Sequence, residues 1–222
     1  REYKASARGF DNDQPPLKTT YTYTHVDEES NIQMAHSFVG SNSDVTWRDD
    51  GQDNLYRAQS NYRYSVTAHY WKGDKVARTQ TQTFNRYHLM TKQTLEKDGH
   101  IEETETVFHE RPGVSFEDQP RYFQLPKTIT KRRKLRGDGS KLHQETAITL
   151  YDDYGNVTEE QAPTGVRVTY EYYDKAGEKD GDTWACPPDP QGFVRNVKCK
   201  TAYPVQDMPG DAPVQRARMT YK

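Results

Sequence analysis

Along much of the chain, positions alternate in character with a period of two. In residues 20–25 Thr alternates with Tyr or His, so one face of a strand would carry rings and the other face hydroxyls. Similar alternation marks residues 61–71, 76–84 and 86–95. No segment has an apolar stripe at helical spacing over three turns. The pattern therefore predicts an all-β chain with little helix.

Turn signals containing glycine separate these predicted strands. They are Asp50-Gly51, Lys72-Gly73-Asp74, Asp98-Gly99 and Asp138-Gly139. Each glycine can adopt a positive φ at the tip of a hairpin. We predict one hairpin from residues 87–97 and 101–109, and another from residues 127–136 and 141–151. Consecutive antiparallel hairpins of this kind would form an extended, curved sheet.

Stretches rich in Gly, Pro, Asp or Asn are predicted to be loops. They cover residues 7–16, 40–54, 111–126 and 175–192. The stretch at 40–54 is also a candidate boundary. It would separate an N-terminal β segment, residues 1–54, from a hairpin sheet that spans residues 55–222.

The composition is typical of a thin sheet with water near both faces. Only 32% of the residues are hydrophobic, which alone would suggest disorder. The net charge of −2 and the 16 Tyr argue for strands, because Tyr can bury its ring while its hydroxyl stays hydrated. The near balance of charge also leaves no global field to attract nucleic acid or an anionic membrane.

Targeting and membrane signals are missing from the sequence. No apolar run reaches about 18 residues, the length needed to span a bilayer. The first residues, Arg1-Glu2-Tyr3-Lys4, are neither an initiator Met nor a signal peptide. We therefore expect the chain to be a fragment of a longer protein.

A Tyr-Asp-x-x-Gly motif occurs twice, with its copies 22 residues apart. Its Asp side chain can close a turn, and its Gly can take a conformation that other residues disfavour. Its Tyr would lie at the end of a strand, where the ring can stack on a neighbouring repeat. The predicted structural turn residues are Tyr151, Asp152, Gly155, Asn156, Tyr173, Asp174 and Gly177.

These turns resemble the YD repeat of Rhs-type proteins and of the B and C components of bacterial insecticidal Tc toxins. Residues 85–203 are also similar to Rhs-like proteins, most clearly at 109–114, 124–126 and 186–195. The resemblance implies a strand-turn-strand ribbon that spirals into a hollow shell around a C-terminal toxic polypeptide. It further implies that this chain is a structural wall segment of a secreted or cell-surface-delivered bacterial protein. Its partners would be the remaining shell segments and an enclosed toxin domain.

The sequence departs from the cargo-cleaving members of that group. Those relatives carry a conserved core with more than one Asp-Pro-x-Gly string near the end of the shell. Asp189-Pro190-Gln191-Gly192 matches the string once, but the second copy and the surrounding core are absent. Because Asp-Pro followed by Gly is a common turn, we predict a turn here and not a protease site.

Candidate catalytic and metal-binding groups each have a simpler structural explanation. On a strand, Glu103 and Glu105 would share a face at roughly 7 Å, near the spacing of paired glycosidase carboxylates, but a solvated face is the favoured interpretation. The histidines form no metal-binding motif, and Cys186 and Cys199 are too few for a zinc site. A disulfide between these cysteines stays open as the less favoured alternative to two free thiols.

The sharpest charge cluster is Lys131-Arg132-Arg133-Lys134. Strand alternation would divide it between both faces of a sheet, which dilutes any groove for phosphates. We therefore predict a solvated hairpin here and no nucleic-acid partner, and contact with an acidic partner or an adjoining wall segment is the less favoured alternative. Because the sequence contains no catalytic, phosphate-binding or dinucleotide-binding motif, we also expect no cofactor and no enzymatic activity. The alternative function is a β-rich module that binds carbohydrate or protein, and several Tyr and Trp would then line one concave groove.

Overall fold

The computed structural model describes residues 2–5, 17–26, 63–205 and 213–221. These residues form fourteen strands and no helix, so they include no helix that could cross a membrane. The strands are β1 Glu2–Ala5, β2 Leu17–Val26, β3 Arg63–Lys72, β4 Lys75–Phe84, β5 Met90–Lys97, β6 His100–Phe108, β7 Pro126–Leu135, β8 Asp138–Tyr151, β9 Val157–Gln161, β10 Arg167–Tyr172, β11 Glu178–Asp180, β12 Thr183–Cys186, β13 Val197–Tyr203 and β14 Gln215–Arg218. The predicted all-β class, built from antiparallel hairpins, is confirmed.

The chain divides into two units. Unit 1 comprises residues 1–119 and 130–145, and unit 2 comprises residues 120–129 and 146–222. The predicted boundary at 40–54 lies outside the described residues.

Strands in unit 1 pair with their neighbours in chain order. β1 to β6 form an antiparallel series, and the hairpin of β7 and β8 contributes its tip to the same unit. In unit 2 the base of that hairpin is followed by β9, β10, β13 and β14 in hydrogen-bonded order. β11 and β12 form a separate two-stranded sheet. Turns of two to five residues connect β3 to β4, β4 to β5, β5 to β6, β7 to β8, β8 to β9 and β9 to β10, whereas longer segments of the chain lie between β1 and β2, between β2 and β3, and between β6 and β7.

Both predicted hairpins form, but one turn lies elsewhere than predicted. β5 and β6 meet at Asp98-Gly99, whose φ angles of +50° and +77° fit a two-residue hairpin turn. The tip between β7 and β8 is Arg136-Gly137, with Gly137 at φ +77°, and β8 begins at Asp138. The prediction of Asp138-Gly139 was therefore wrong by two residues. The sequence offers two glycines, and the register of the strands selects the first.

Hydroxyl side chains share one face of unit 1. Thr67 lies opposite Thr81, which in turn lies opposite Thr94. The hydroxyls of Thr67 and Thr81 are 3.0 Å apart, and those of Ser65 and Thr83 are 2.9 Å apart. These hydrogen bonds join β3 and β4 without an apolar core on this face.

Rings and amides occupy the opposite face of the same strands. The ring of Tyr64 stacks on Phe84 with centroids 4.9 Å apart, and the Tyr70 hydroxyl donates to Gln80 at 3.3 Å. Between these pairs, Ala68 is buried. The two faces therefore differ in character as the alternation in the sequence indicates, except near the end of β3, where His69 and Trp71 hydrogen-bond to Thr79 and Thr20 on the hydroxyl face.

The predicted loop at 175–192 contains a hairpin that the sequence prediction missed. β11 and β12 pair across the turn at Gly181, which has a φ of +62°. Strands of three and four residues are too short to show a clear alternation among so many Gly, Asp and Pro residues. Ala185 and Cys186 of β12 are buried, so this hairpin supplies part of the core of unit 2.

Candidate functional site

The first predicted turn, residues 152–156, is closed by both backbone and side-chain hydrogen bonds. The Asp152 N–H donates to the Asn156 carbonyl at 2.9 Å, and the Gly155 N–H donates to the Asp152 carbonyl at 3.0 Å. Asp152 Oδ1 also accepts from the N–H groups of Tyr154 and Asn156, both at 2.9 Å. Gly155 has a φ of +82°, in the left-handed region that favours glycine. The Asp side chain thus closes the turn, and the Gly supplies its left-handed residue.

Asn156 links this turn to a distant segment of unit 2. Its Nδ2 donates to Asp152 Oδ2 at 3.1 Å and to the Val194 carbonyl at 2.6 Å. The ring of Tyr151, just before the turn, lies 6.4 Å from the ring of Tyr122. The turn is therefore anchored to its surroundings by the Asn side chain and by an aromatic pair.

The second predicted turn, residues 174–177, has two of the hydrogen bonds found in the first turn. The Gly177 N–H donates to the Asp174 carbonyl, and Asp174 Oδ1 accepts from the Ala176 N–H, both at 2.9 Å. Gly177 has a φ of +73°, and a Cβ added to it would lie 2.4 Å from the Cys186 carbonyl oxygen. Glycine is needed here for its conformation and also for the close approach of two backbones.

Tyr173, the residue before this turn, is the centre of the core of unit 2. It is 2% exposed and packs with Ala185 and Cys186. Its hydroxyl donates to the Met219 carbonyl at 2.9 Å, and its ring meets Tyr221 edge-on at 6.2 Å. A large ring with a satisfied hydroxyl can be buried at little polar penalty.

The Asp-Pro-x-Gly string forms a third turn of this type. Asp189 Oδ1 accepts from the N–H groups of Gln191 and Phe193, and the Gly192 N–H donates to the Asp189 carbonyl at 3.0 Å. Arg195 Nε lies 2.8 Å from Asp189 Oδ2. Burial alone would raise the pKa of Asp189, but these N–H groups and Arg195 lower it. The aspartate is thus an ionised turn anchor.

A further turn, at residues 85–89, was not predicted from the sequence. The Asn85 N–H donates to the Leu89 carbonyl, and the His88 N–H donates to the Asn85 carbonyl, both at 3.0 Å. Asn85 Oδ1 accepts from the N–H groups of Tyr87 and Leu89, and His88 has a φ of +59°. Asn replaces Asp and His replaces Gly, so this turn does not carry the Tyr-Asp-x-x-Gly motif. The signal was the shared Tyr at the third position, with a residue that tolerates the left-handed region after it.

Buried polar contacts hold the 85–89 turn. Asn85 and Arg86 are each 8% exposed. Asn85 Nδ2 donates to Glu110 Oε2 at 2.8 Å, and Arg86 Nε donates to Glu110 Oε1 at 3.2 Å. Arg86 Nη2 also donates to the Val114 carbonyl, and Gln119 Nε2 reaches the same carbonyl. The long segment after β6 is thereby fixed against the turn.

An open cleft of about 580 Å³ lies beside this network in unit 1. It is lined by Arg63, Thr83, Asn85, Arg86, Thr91, Lys92, Glu105, Thr106, Val107, Phe108, Glu110, Pro112 and Gly113. Its lining contains one aromatic residue, Phe108, and no Tyr or Trp. This cleft is therefore not the groove of several Tyr and Trp that a ring-based binding module would need.

The candidate carboxylates Glu103 and Glu105 meet on one arginine. Arg132 Nη1 lies 3.0 Å from Glu103 Oε1 and 2.5 Å from Glu105 Oε2, while Lys92 Nζ lies 3.0 Å from Glu103 Oε2. Burial would raise the pKa of Glu103, but the hydrogen bonds from Lys92 and Arg132 lower it. A glycosidase acid needs a raised pKa, so this arrangement fits a cross-strand ion-pair network.

The basic cluster on β7 is divided between the faces of the strand. Arg132 pairs with Glu103, whereas its neighbour Arg133 pairs with Glu102, with Nε and Oε1 3.5 Å apart. Successive residues on a strand point to opposite faces, so these bridges lie on opposite sides of the sheet. The predicted split of the cluster agrees with this geometry.

Both cysteines are buried free thiols. Asn196 Nδ2 donates to Cys186 Sγ at 3.3 Å, and Arg216 Nε donates to Cys199 Sγ at 3.0 Å. Within the part of the chain that the structure describes, no group of three or more His, Cys, Asp or Glu is placed to hold a metal ion.

Comparison with known proteins gives no further identification. No family model, curated protein or solved structure matches the chain.

Proposed function

We propose that this chain is a structural wall segment of a YD-repeat, Rhs-like bacterial protein whose full-length form encloses or presents a toxin-like polypeptide. The observation that carries the proposal is the recurrence of one turn geometry, which supports the motif resemblance with backbone hydrogen bonds. An N–H to C=O hydrogen bond from the fourth residue to the first closes the turns that start at Asn85, Asp152, Ala162, Asp174 and Asp189. The fourth residue has a positive φ in each of them.

Such turns suit the building of a wall by repetition. The turns that start at Asn85, Asp152 and Ala162 each join two strands that pair antiparallel, whereas those at Asp174 and Asp189 connect strands that do not pair with each other. A left-handed residue in a hairpin turn adds a local twist. In the three turns at 85–89, 152–156 and 162–166 the N–H of the first residue also donates to the carbonyl of the fifth, which closes each loop at a fixed length of five residues. Successive strands can then be added in chain order with the same connection.

The way in which the sheet of unit 1 is stabilised, by side-chain pairs between neighbouring strands, also fits a structural wall. In unit 1 the hydroxyl row of β3 and β4 and the ion pairs of Lys92, Glu103 and Arg132 join neighbouring strands directly. Cross-strand pairs each contribute roughly 0.2–1 kcal/mol, so many of them together can stabilise a sheet with a thin core. Both faces of such a sheet tolerate water.

Limited proteolysis with mass spectrometry on the longer protein that contains this chain tests the proposal. We expect a C-terminal piece to survive inside a protease-resistant shell that includes residues 63–205. A matched digest of the Gly177→Ala variant, which disrupts a turn of unit 2, should release that piece. Free digestion of everything beyond this chain in the unmodified protein would contradict enclosure and favour an open binding module.

A further inference from the structure

We propose that the cleft beside the 85–89 turn binds a neutral, hydroxyl-rich small molecule of the size of one or two sugar units. The site is defined by Arg86, Lys92, Glu105, Val107 and Glu110, which line it from the turn, from β5, from β6 and from the segment after β6. Its volume of about 580 Å³ lies within the range of small-molecule sites. The inference is independent of the wall proposal.

The charges around the cleft favour a neutral ligand. Glu110 is paired with Arg86, and Glu105 is paired with Arg132. Lys92 is paired with Glu103. Arg86, Lys92, Glu105 and Glu110 therefore each have an oppositely charged partner within the protein, and a charged ligand would have to compete with that partner for them.

Hydrogen-bonding capacity nevertheless stays available at the rim of the cleft. The side chains of Lys92 and Glu105 are each 45% exposed. An ammonium group has three donors, and a carboxylate has about four acceptor positions, so one ion pair leaves further bonds to be made. Lys92 lies directly opposite Glu105 across β5 and β6. A donor and an acceptor on neighbouring strands match the adjacent hydroxyls of a sugar, each of which both donates and accepts.

An apolar wall completes the site. Val107 is 51% exposed, and Phe108 and Pro112 line the cleft near it. A sugar ring has a C–H face that can cover such a surface, whereas inorganic anions and small charged metabolites do not. Nine of the thirteen residues that line the cleft are polar or charged, so hydrogen bonds to the hydroxyls of the ligand would dominate its binding.

The test is titration of the 222-residue chain with glucose, galactose, N-acetylglucosamine and their disaccharides, followed by NMR chemical shifts. We expect saturable binding of at least one of them, with Kd in the range of about 1 mM for so small a ligand. Val107→Asp should weaken that binding by about tenfold or more, because it places a hydrated charge on the apolar wall. The matched control is Val76→Asp on β4, since Val76 is 43% exposed and does not line the cleft.

Three outcomes would overturn the proposal. Absence of saturable binding for every neutral sugar would remove the ligand class. Tighter binding of glutamate, lysine or inorganic phosphate than of any sugar would show that the cleft selects charge. Equal weakening by Val107→Asp and Val76→Asp, with both variants folded by their amide spectra, would place the binding elsewhere.

Discussion

The turns at 85–89 and 152–156 share their backbone hydrogen bonds but lie in different surroundings. The Tyr at the third position is 4% exposed at Tyr87 and 62% exposed at Tyr154. The second residue is a buried Arg86 in one turn and an exposed Asp153 in the other. The backbone geometry therefore does not depend on burial. It requires a fourth residue that tolerates a positive φ, and in these two turns the first side chain adds further hydrogen bonds by accepting N–H groups. The turn that starts at Ala162 forms the same backbone hydrogen bonds without a side-chain acceptor.

The chemistry of the first residue follows the surroundings. At the surface, Asp152 accepts two backbone N–H groups at Oδ1, and Asn156 supplies a side-chain donor to Oδ2. In the buried turn, Asn85 accepts two N–H groups at Oδ1 and donates from Nδ2 to Glu110. A second carboxylate beside Glu110 would repel it, so the buried turn needs the amide.

The largest loss of stability is expected at Gly177, which has a positive φ and also lies close to another part of the backbone. Gly177→Ala would place a Cβ 2.4 Å from the Cys186 carbonyl oxygen and 2.7 Å from the Pro187 carbonyl carbon. We expect a loss of about 3–5 kcal/mol in the free energy of unfolding, because backbone must move as well as adopt a strained φ. Urea unfolding followed by circular dichroism measures it.

Gly155→Ala is the control for this comparison. Gly155 has a similar φ, but the nearest atom to an added Cβ is Leu125 Cδ1 at 3.8 Å. Strain alone should then cost about 1 kcal/mol. Equal losses at Gly155 and Gly177 would show that the close approach to Cys186 does not matter.

A reciprocal exchange of the first residue should separate the buried turn from the exposed one. Asn85→Asp removes the donor to Glu110 and adds a like charge, so we expect a loss of about 2–3 kcal/mol at pH 7. Asp152→Asn keeps an acceptor for the two N–H groups and should cost less than about 1 kcal/mol. Unfolding midpoints of both variants in urea give the two values.

The pH dependence of Asn85→Asp provides a second measurement. Like-charge repulsion raises the folded-state pKa of the new carboxyl pair above its unfolded value, so the penalty is present at high pH and falls as the pair takes up a proton. The stability gap between Asn85→Asp and the unmodified chain should therefore narrow from pH 7 toward pH 4. A gap that widens on acidification would contradict the assigned repulsion.

The loss of stability on replacing Gly155, the fourth residue of the exposed turn at 152–156, should depend on the type of residue introduced. Gly155→Val should cost about 1–3 kcal/mol, because a β-branched residue is poorly accommodated at a positive φ. Gly155→His should cost only about 1 kcal/mol, since the 85–89 turn shows that His is accepted in this conformation. Thermal unfolding of the two variants tests the order, and a smaller loss for Val than for His would refute it.

Sequence patterns predicted the longer strands and several of the glycine turns, but they missed the short strands β11 and β12 and placed the tip of the β7–β8 hairpin two residues too late. Alternating Thr and Tyr specify a strand because the two sides of a pleated sheet face different surroundings. The turn at 85–89 could not be predicted from a glycine, because His88 occupies the fourth position. The centroid of its ring lies 5.6 Å from that of Tyr64. The cleft was equally hidden, because its residues come from strands and loops between positions 63 and 113 and converge only through strand register.

The smallest effect is expected at His88 itself. His88→Gly relieves the strain of a non-glycine residue at φ +59°, but it also removes the hydrogen bond between Tyr64 Oη and His88 Nδ1 at 3.1 Å and loosens the unfolded chain. These contributions oppose each other, so the net change in the free energy of unfolding should be below about 1 kcal/mol.

Replacing Tyr64 by Phe removes the hydroxyl that bonds His88, so the strain of His88 at its positive φ can then be measured without that hydrogen bond. In a Tyr64→Phe background the hydrogen bond is already absent, so His88→Gly should be more favourable there than in the unmodified chain, by about 0.5–1.5 kcal/mol. A double-mutant cycle from urea unfolding measures this coupling. A coupling near zero would mean that the hydrogen bond between Tyr64 and His88 contributes nothing to the stability of the turn.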